Sequence, residues 1–161
     1  GFYLDIDFGK YPFVTSSQCH VGSVVSCGFP TNKINKIYGV AKIYTTYVGN
    51  MIFQPADPLL EKLQILGNEF GATTSRKRQC NWLNLDELKK AIYICSVTDL
   101  IINKCDIINS LNYYKLYHNN DDESELPKEH VFSSWDDMKN YIIENLPKSI
   151  NITFSYDKDK I

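Results

Sequence analysis

The run Asp99-Leu100-Ile101-Ile102-Asn103 constrains the fold more than any other stretch of this chain. Large apolar residues bounded by polar ones suit a short strand buried on both faces, as in a parallel sheet. Just before it lies NLDELKKAIYICS, in which Leu88, Ala91, Ile92 and Cys95 recur at helical spacing. Asn84, with Glu87 three residues on, has the form of a capping box at the start of that helix. A helix feeding a buried strand is the repeating unit of α/β layer folds.

The rest of the chain is consistent with that unit. FYLDID alternates, with Phe2, Leu4 and Ile6 on one face, which predicts a strand. VTSSQCHVGSVVSCG predicts a helix opened by Thr15, Ser16 or Ser17 and closed at Gly28. KIYGVAKIYTTYV predicts a strand or strand pair, PLLEKLQILGN a short helix, and YYKLY another strand. HNNDDESELPKEH is the clear polar loop. SSWDDMKNYIIENLP then gives a capped amphipathic helix with Trp135, Met138, Tyr141, Ile142 and Leu146 mostly on one side, and INITFSY closes as a strand. The expectation is one α/β domain over residues 1–161, a mainly parallel sheet flanked by helices.

Seventeen basic and 19 acidic residues give a net charge of -2, which argues against bulk attraction to nucleic acid or an anionic membrane. No apolar run approaches the roughly 20 residues that span a bilayer. GFYLDIDFGK has no basic segment followed by an apolar core, unlike a secretory leader. Five cysteines without CxxC spacing fit reduced thiols in a cytosolic-type compartment. His20, His118 and His130 are too scattered to suggest a metal site. Any anion site must therefore be local.

Three stretches could form one. In GATTSRKR, hydroxyl residues stand directly before Arg76, Lys77 and Arg78, a grouping suited to grasping an anion, although a solvated basic turn has the same composition. NKCD, Asn103 to Asp106, follows the apolar strand and has the N/T-K-x-D form of a guanine reader. There the Asp carboxylate accepts from guanine N1–H and N2–H while the Lys stem lies across the base, its ammonium solvated. Surface charges at a strand end would read the same. The TSS of DIDFGKYPFVTSS could offer donors to a phosphate, or simply cap a helix.

Taken in order, DIDFGKYPFVTSS, GVAKIYTTYVG, GNEFGATTSRKRQCNWLNLDELKKA and LIINKCDII resemble the C-terminal half of adenylosuccinate synthetase, from Gly1 to about Ile108. The D-[IL]-D-x-G-x-Y-P-[FY]-V-T-S-S and E-F-G-x-T-T-x-R-x-R-x-x-x-W-L blocks are specific to that family. Beyond Ile108 the resemblance is thinner: Ser155 takes the place of the Ser in the family's closing Ser-x-Gly-Pro-x-Arg turn, without its Gly-Pro pair. Ser75 stands where the family usually has Gly, and Tyr47 where it has Arg.

The resemblance implies a fold related to phosphate-loop NTPases and a ligase of AMP biosynthesis. Such enzymes use GTP to phosphorylate IMP, then displace that phosphate with L-aspartate. It also implies a cytoplasmic enzyme, a homodimer when full length. Ala72, Thr73, Thr74, Ser75, Arg76, Lys77 and Arg78 would form the aspartate-binding loop. Arg76 would also reach IMP, and Thr15 would hold the IMP phosphate. GTP would meet Arg78, Asn103, Lys104, Cys105, Asp106 and Ser155. The family's G-D-E-G-K-G phosphate loop, with its catalytic Asp and a Mg²⁺ contact, does not occur in these 161 residues. On this comparison the chain is the C-terminal part of a longer domain and inactive alone. The alternatives are a non-catalytic nucleotide- or partner-binding remnant, or a relative of the phage enzymes that use dGMP.

Overall fold

The computed structural model describes residues 1–71, 75–120 and 126–157. In chain order its elements are α1 (Gly22–Ser26), β1 (Tyr38–Lys42), β2 (Tyr44–Tyr47), α2 (Pro58–Leu66), β3 (Gln79–Asn84), α3 (Leu85–Ile94), β4 (Asp99–Asn103), α4 (Cys105–Leu111), β5 (Tyr114–His118), β6 (Lys128–Phe132), α5 (Trp135–Asn145) and β7 (Asn151–Phe154). The apolar run that set the expectation is β4, the middle strand of a parallel sheet ordered β1-β4-β7. Its Leu100 and Ile102 are buried. A second sheet, ordered β2-β3-β5-β6, is mixed: β3 and β5 run parallel, while the β2–β3 and β5–β6 pairs are antiparallel.

Local signals explain the helices. Asn84 Oδ1 accepts from the backbone N–H groups of Asp86 and Glu87, both at 3.1 Å, so α3 starts where the capping pattern placed it. Asp57 caps α2 by accepting from Leu59 N at 2.9 Å, with Pro58 in the first turn. Ser134 caps α5, which turns Met138 and Ile142 into the core. Among the described residues no helix is long and apolar enough to cross a membrane.

The N-terminal segment departs from expectation. Phe2–Leu4 is a single 3-10 turn rather than a strand, because Asp5 gathers the chain around itself. Its fully buried carboxylate accepts from the N–H groups of Asp7 (2.8 Å), Phe8 (3.1 Å) and Cys19. Burial opposes ionisation there, but those donors and nearby His20 hold the carboxyl below its ordinary range. The predicted Thr15–Gly28 helix shrinks to α1, whose N-cap is Val21 with no side-chain bond. Gly28 does close it, at φ 87°. The predicted polar loop is shorter than expected, since Lys128, Glu129 and His130 begin β6.

Candidate functional site

Helix α2 ends in the turn Gly67-Asn68-Glu69, and the backbone there passes through the left-handed region at Asn68 (φ 49°). Glu69 is 1% exposed, and a carboxylate so buried requires partners. Lys42 Nζ donates to both of its oxygens, at 2.7 and 2.9 Å. The Tyr44 hydroxyl donates at 2.7 Å and the Arg78 guanidinium at 3.0 Å. Lys42 ends β1 and Tyr44 starts β2, so the bend at buried Ile43 presents both to the same carboxylate.

Burial pushes the Glu69 carboxyl up, yet hydrogen bonds from Lys42, Tyr44 and Arg78, together with the charge of Lys42, bring it below its usual value. A carboxyl lowered on folding contributes stability that is present above its unfolded pKa of about 4.3 and lost as pH falls through the lower folded value. We therefore expect the stability advantage of the wild type over Glu69→Gln to shrink as pH drops below about 4, in denaturation midpoints measured from pH 7 to 3. A constant difference across that range would show that Glu69 is not ionised in the fold.

The loop that follows is tied at its base. Phe70 and Lys77 form an antiparallel bridge, flanked by Gly71 N–H donating to Arg76 O at 2.8 Å and Arg78 N–H donating to Glu69 O at 2.9 Å. Ser75 N–H returns to Gly71 O at 2.8 Å, with Ser75 at φ 50°. A serine is held here in a conformation that glycine adopts freely. Arg76 and Lys77 are exposed, and Arg78 is half-buried. Ala72, Thr73 and Thr74 lie outside the described residues.

The NKCD segment lies at the C-terminal end of β4. Lys104 (φ 64°, ψ 24°) is the N-cap of α4. Its ammonium, expected to be solvated, instead donates to Gly67 O at 3.1 Å, in the same turn that carries Glu69. Ser155 follows β7 directly: its N–H donates to Ile102 O at 2.8 Å and its O accepts from Cys105 N at 3.2 Å. The parallel sheet thus sets the Ser155 backbone against Ile102 and Cys105, while the Ser155 hydroxyl donates to Asp157 O at 2.9 Å and is buried. Asp106 is exposed, while the Asn103 Oδ1 is buried without a hydrogen-bond partner. Burial, with Asp106 close by, raises the Cys105 thiol to about 12, so it remains protonated and structural.

Thr15 stands apart. Its hydroxyl donates to Leu4 O at 2.9 Å, 3.2 Å from Ser17 Oγ, inside the loop organised by Asp5. Among the described residues no hydrogen bond or ion pair joins that loop to the Glu69 group; Tyr3 ties it to α3 through Glu87 O at 2.7 Å. Asp5, Asp7 and His20 offer ligand atoms within 4.8 Å of one another, a grouping the sequence spacing did not suggest. Three backbone donors to Asp5 and a 3.0 Å bond from Gln18 to Asp7 already account for those carboxylates.

Lys42 and Glu69 are the site residues that sequence reasoning missed. The available signal was a lysine inside an otherwise apolar strand, GVAKIY, and a glutamate between glycines in GNEFG; neither charge could be buried without the other.

Comparison with known proteins gives a consistent result. The adenylosuccinate synthetase family profile matches residues 1–145. The adenylosuccinate synthetase of Petrotoga mobilis is 45% identical over 119 residues, 72% of this chain and 28% of that protein. That of Komagataella phaffii is 48% identical over 117 residues, covering 70% and 27%. The fully ligated adenylosuccinate synthetase of Plasmodium falciparum superposes with TM-score 0.73 at 29% identity, over 92% of this chain and 41% of that one. A cyanophage S-2L succinoaminodeoxyadenylate synthetase, bound to dGMP and dATP, shares the fold at TM-score 0.65 and 16% identity. The chain spans just over a quarter of the length of the curated relatives it matches.

Proposed function

Because this chain belongs to the adenylosuccinate synthetase family, we propose that it supplies the aspartate-loop, IMP-phosphate and guanine contacts of a GTP-dependent ligase that joins L-aspartate to IMP. The observation that carries this reading is one turn, Gly67–Glu69, which binds both Lys104 of the guanine-type motif and Arg78 of the basic loop. Two segments separated by more than 20 residues are thereby fixed side by side, as a site joining a nucleotide to an amino acid requires.

In this reading Asp106 accepts the paired N–H groups of guanine, and Asn103, whose Oδ1 lacks a partner, lies beside it. Cys105 and Ser155 shape the backbone behind the base. Arg76 offers paired donors to the aspartate carboxylate and to IMP, and Arg78 offers its remaining donors to GTP phosphates. Thr15 is assigned to the IMP phosphate, which requires its hydroxyl to exchange Leu4 O for the ligand. Mg²⁺ does not fit the residues around Arg78: Glu69, the carboxylate in that group, spends both oxygens on Lys42, Tyr44 and Arg78. We assign the metal and the phosphoryl chemistry to the parts of the family enzymes that this chain does not match, so its own share is binding.

Titration of the chain with GTP and ATP, followed by calorimetry, tests this. Preferential binding of GTP is expected, and Asp106→Asn should reduce GTP affinity by about 2–4 kcal/mol, since an amide donor then faces guanine donors. Equal affinity for the two nucleotides, or a preference unchanged by Asp106→Asn, would overturn the guanine assignment.

A further inference from the structure

The Glu69 group contains more charge than a structural pair needs. Lys42 directs its ammonium at Glu69 Oε1 and Oε2, and at Thr46 Oγ1 3.2 Å away, so its three N–H donors all have internal acceptors. Arg78 makes a single side-chain bond to Glu69, through one guanidinium nitrogen at 3.0 Å, and its side chain is 35% exposed. A guanidinium has five N–H donors, and among the described residues Glu69 is the side-chain partner of Arg78, so most of those donors are not taken up by them. If Arg78 alone faced the buried carboxylate, the pair would be neutral and the arginine would be held as a structural counter-ion. With Lys42 present, the carboxylate is already neutralised, and the group retains one positive charge on its exposed side.

We propose that Lys42 is a positioning residue: by neutralising Glu69 it lets that carboxylate orient Arg78 without consuming its charge, leaving Arg78 available to a phosphate or carboxylate. Tyr44 assists as a neutral donor to the same carboxylate, since burial and Glu69 raise its hydroxyl well above the ordinary tyrosine value. The inference rests on Arg78 meeting an anion, as the functional reading has it, but not on which anion.

The test uses inorganic phosphate as the probe and the Arg78 Nε–Hε resonance of the labelled full chain as the readout, assigned from its loss in Arg78→Lys. Lys42→Met removes the neutralising charge and should weaken phosphate binding about tenfold, the effect of one unit charge at close range in a partly screened site. The double variant Lys42→Met/Glu69→Gln restores the net charge and leaves no stranded carboxylate. It should bind within about threefold of wild type. Should Lys42→Met fail to fold, the double variant still decides: its phosphate affinity must match wild type, with the amide spectrum as folding control. Wild-type affinity in Lys42→Met, failure of the double variant to recover, or no response of wild-type Arg78 to phosphate would each overturn the proposal. If phosphate follows the expected pattern while GTP and L-aspartate do not bind, the substrate reading fails and the charge arrangement stands.

Discussion

Trp82→Ala is expected to lower the free energy of unfolding by about 3–5 kcal/mol, the usual cost of deleting a fully buried large aromatic. Trp82 lies in β3, is 1% exposed, and is the largest of the fully buried side chains. Beyond its area, its indole N–H donates to Asp57 Oδ2 at 3.1 Å, and the other oxygen of that carboxylate caps α2. The Lys115 ammonium lies 5.3 Å from the ring centroid and reaches Glu129 at 2.9 Å, so one side chain ties β3 to α2, β5 and β6. Trp82→Phe keeps most of the packing and loses the indole donor, for an expected loss of about 1–2 kcal/mol. Urea denaturation followed by circular dichroism measures both. Since α2 leads directly into the Glu69 turn, a loss below about 1 kcal/mol for Trp82→Ala would mean that the turn is anchored by something other than this contact.

The legible parts of the fold were those whose causes lie within a few residues. β4 announces itself by an apolar run, α3 by Asn84 and its spacing, and α5 by Ser134 and a stripe that buries Met138 and Ile142. Phe2, Leu4 and Ile6 alternate as a strand would, but the conformation there is decided by Asp5 and a backbone donor 14 residues away, which no local period encodes. β6 was hidden for a different reason. Its Lys128, Glu129 and Val131 are exposed on an edge strand, so it lacks the apolar face that marks a strand in sequence.

The candidate site divides in the same way. NKCD could be placed because its strand, its positive-φ lysine and its helix are contiguous. The approach of Ser155 to Cys105 follows from the β4–β7 pairing, which a residue count alone does not give. The Lys42–Glu69 pair spans 27 residues, so the lysine in GVAKIY and the glutamate in GNEFG each stand out locally while nothing in the sequence pairs them.

Arg76→Leu is expected to cost about 2–5 kcal/mol in L-aspartate binding, most of it from a ligand carboxylate left without its paired donors. Lys77→Ala should cost less than about 1 kcal/mol, in the range of an exposed charge with no fixed partner among the described residues. The backbone provides the reason for the contrast. Around the Phe70–Lys77 bridge the chain is extended, with Gly71 N–H bonded to Arg76 O and Arg78 N–H to Glu69 O. Successive residues of an extended segment alternate between faces, so Arg76 and Arg78 share a face while Lys77 lies on the other. Arg78 fixes which face that is, since it reaches Glu69 and the turn that also holds Lys104. Arg76 therefore lies on the side where the proposed nucleotide and amino-acid sites meet. A solvated basic turn would make the two charges interchangeable. Calorimetric titration of each variant with L-aspartate, at fixed ionic strength so that screening is constant, separates the cases. Equal losses would remove Arg76 from the aspartate site while leaving the family membership and the Glu69 group untouched.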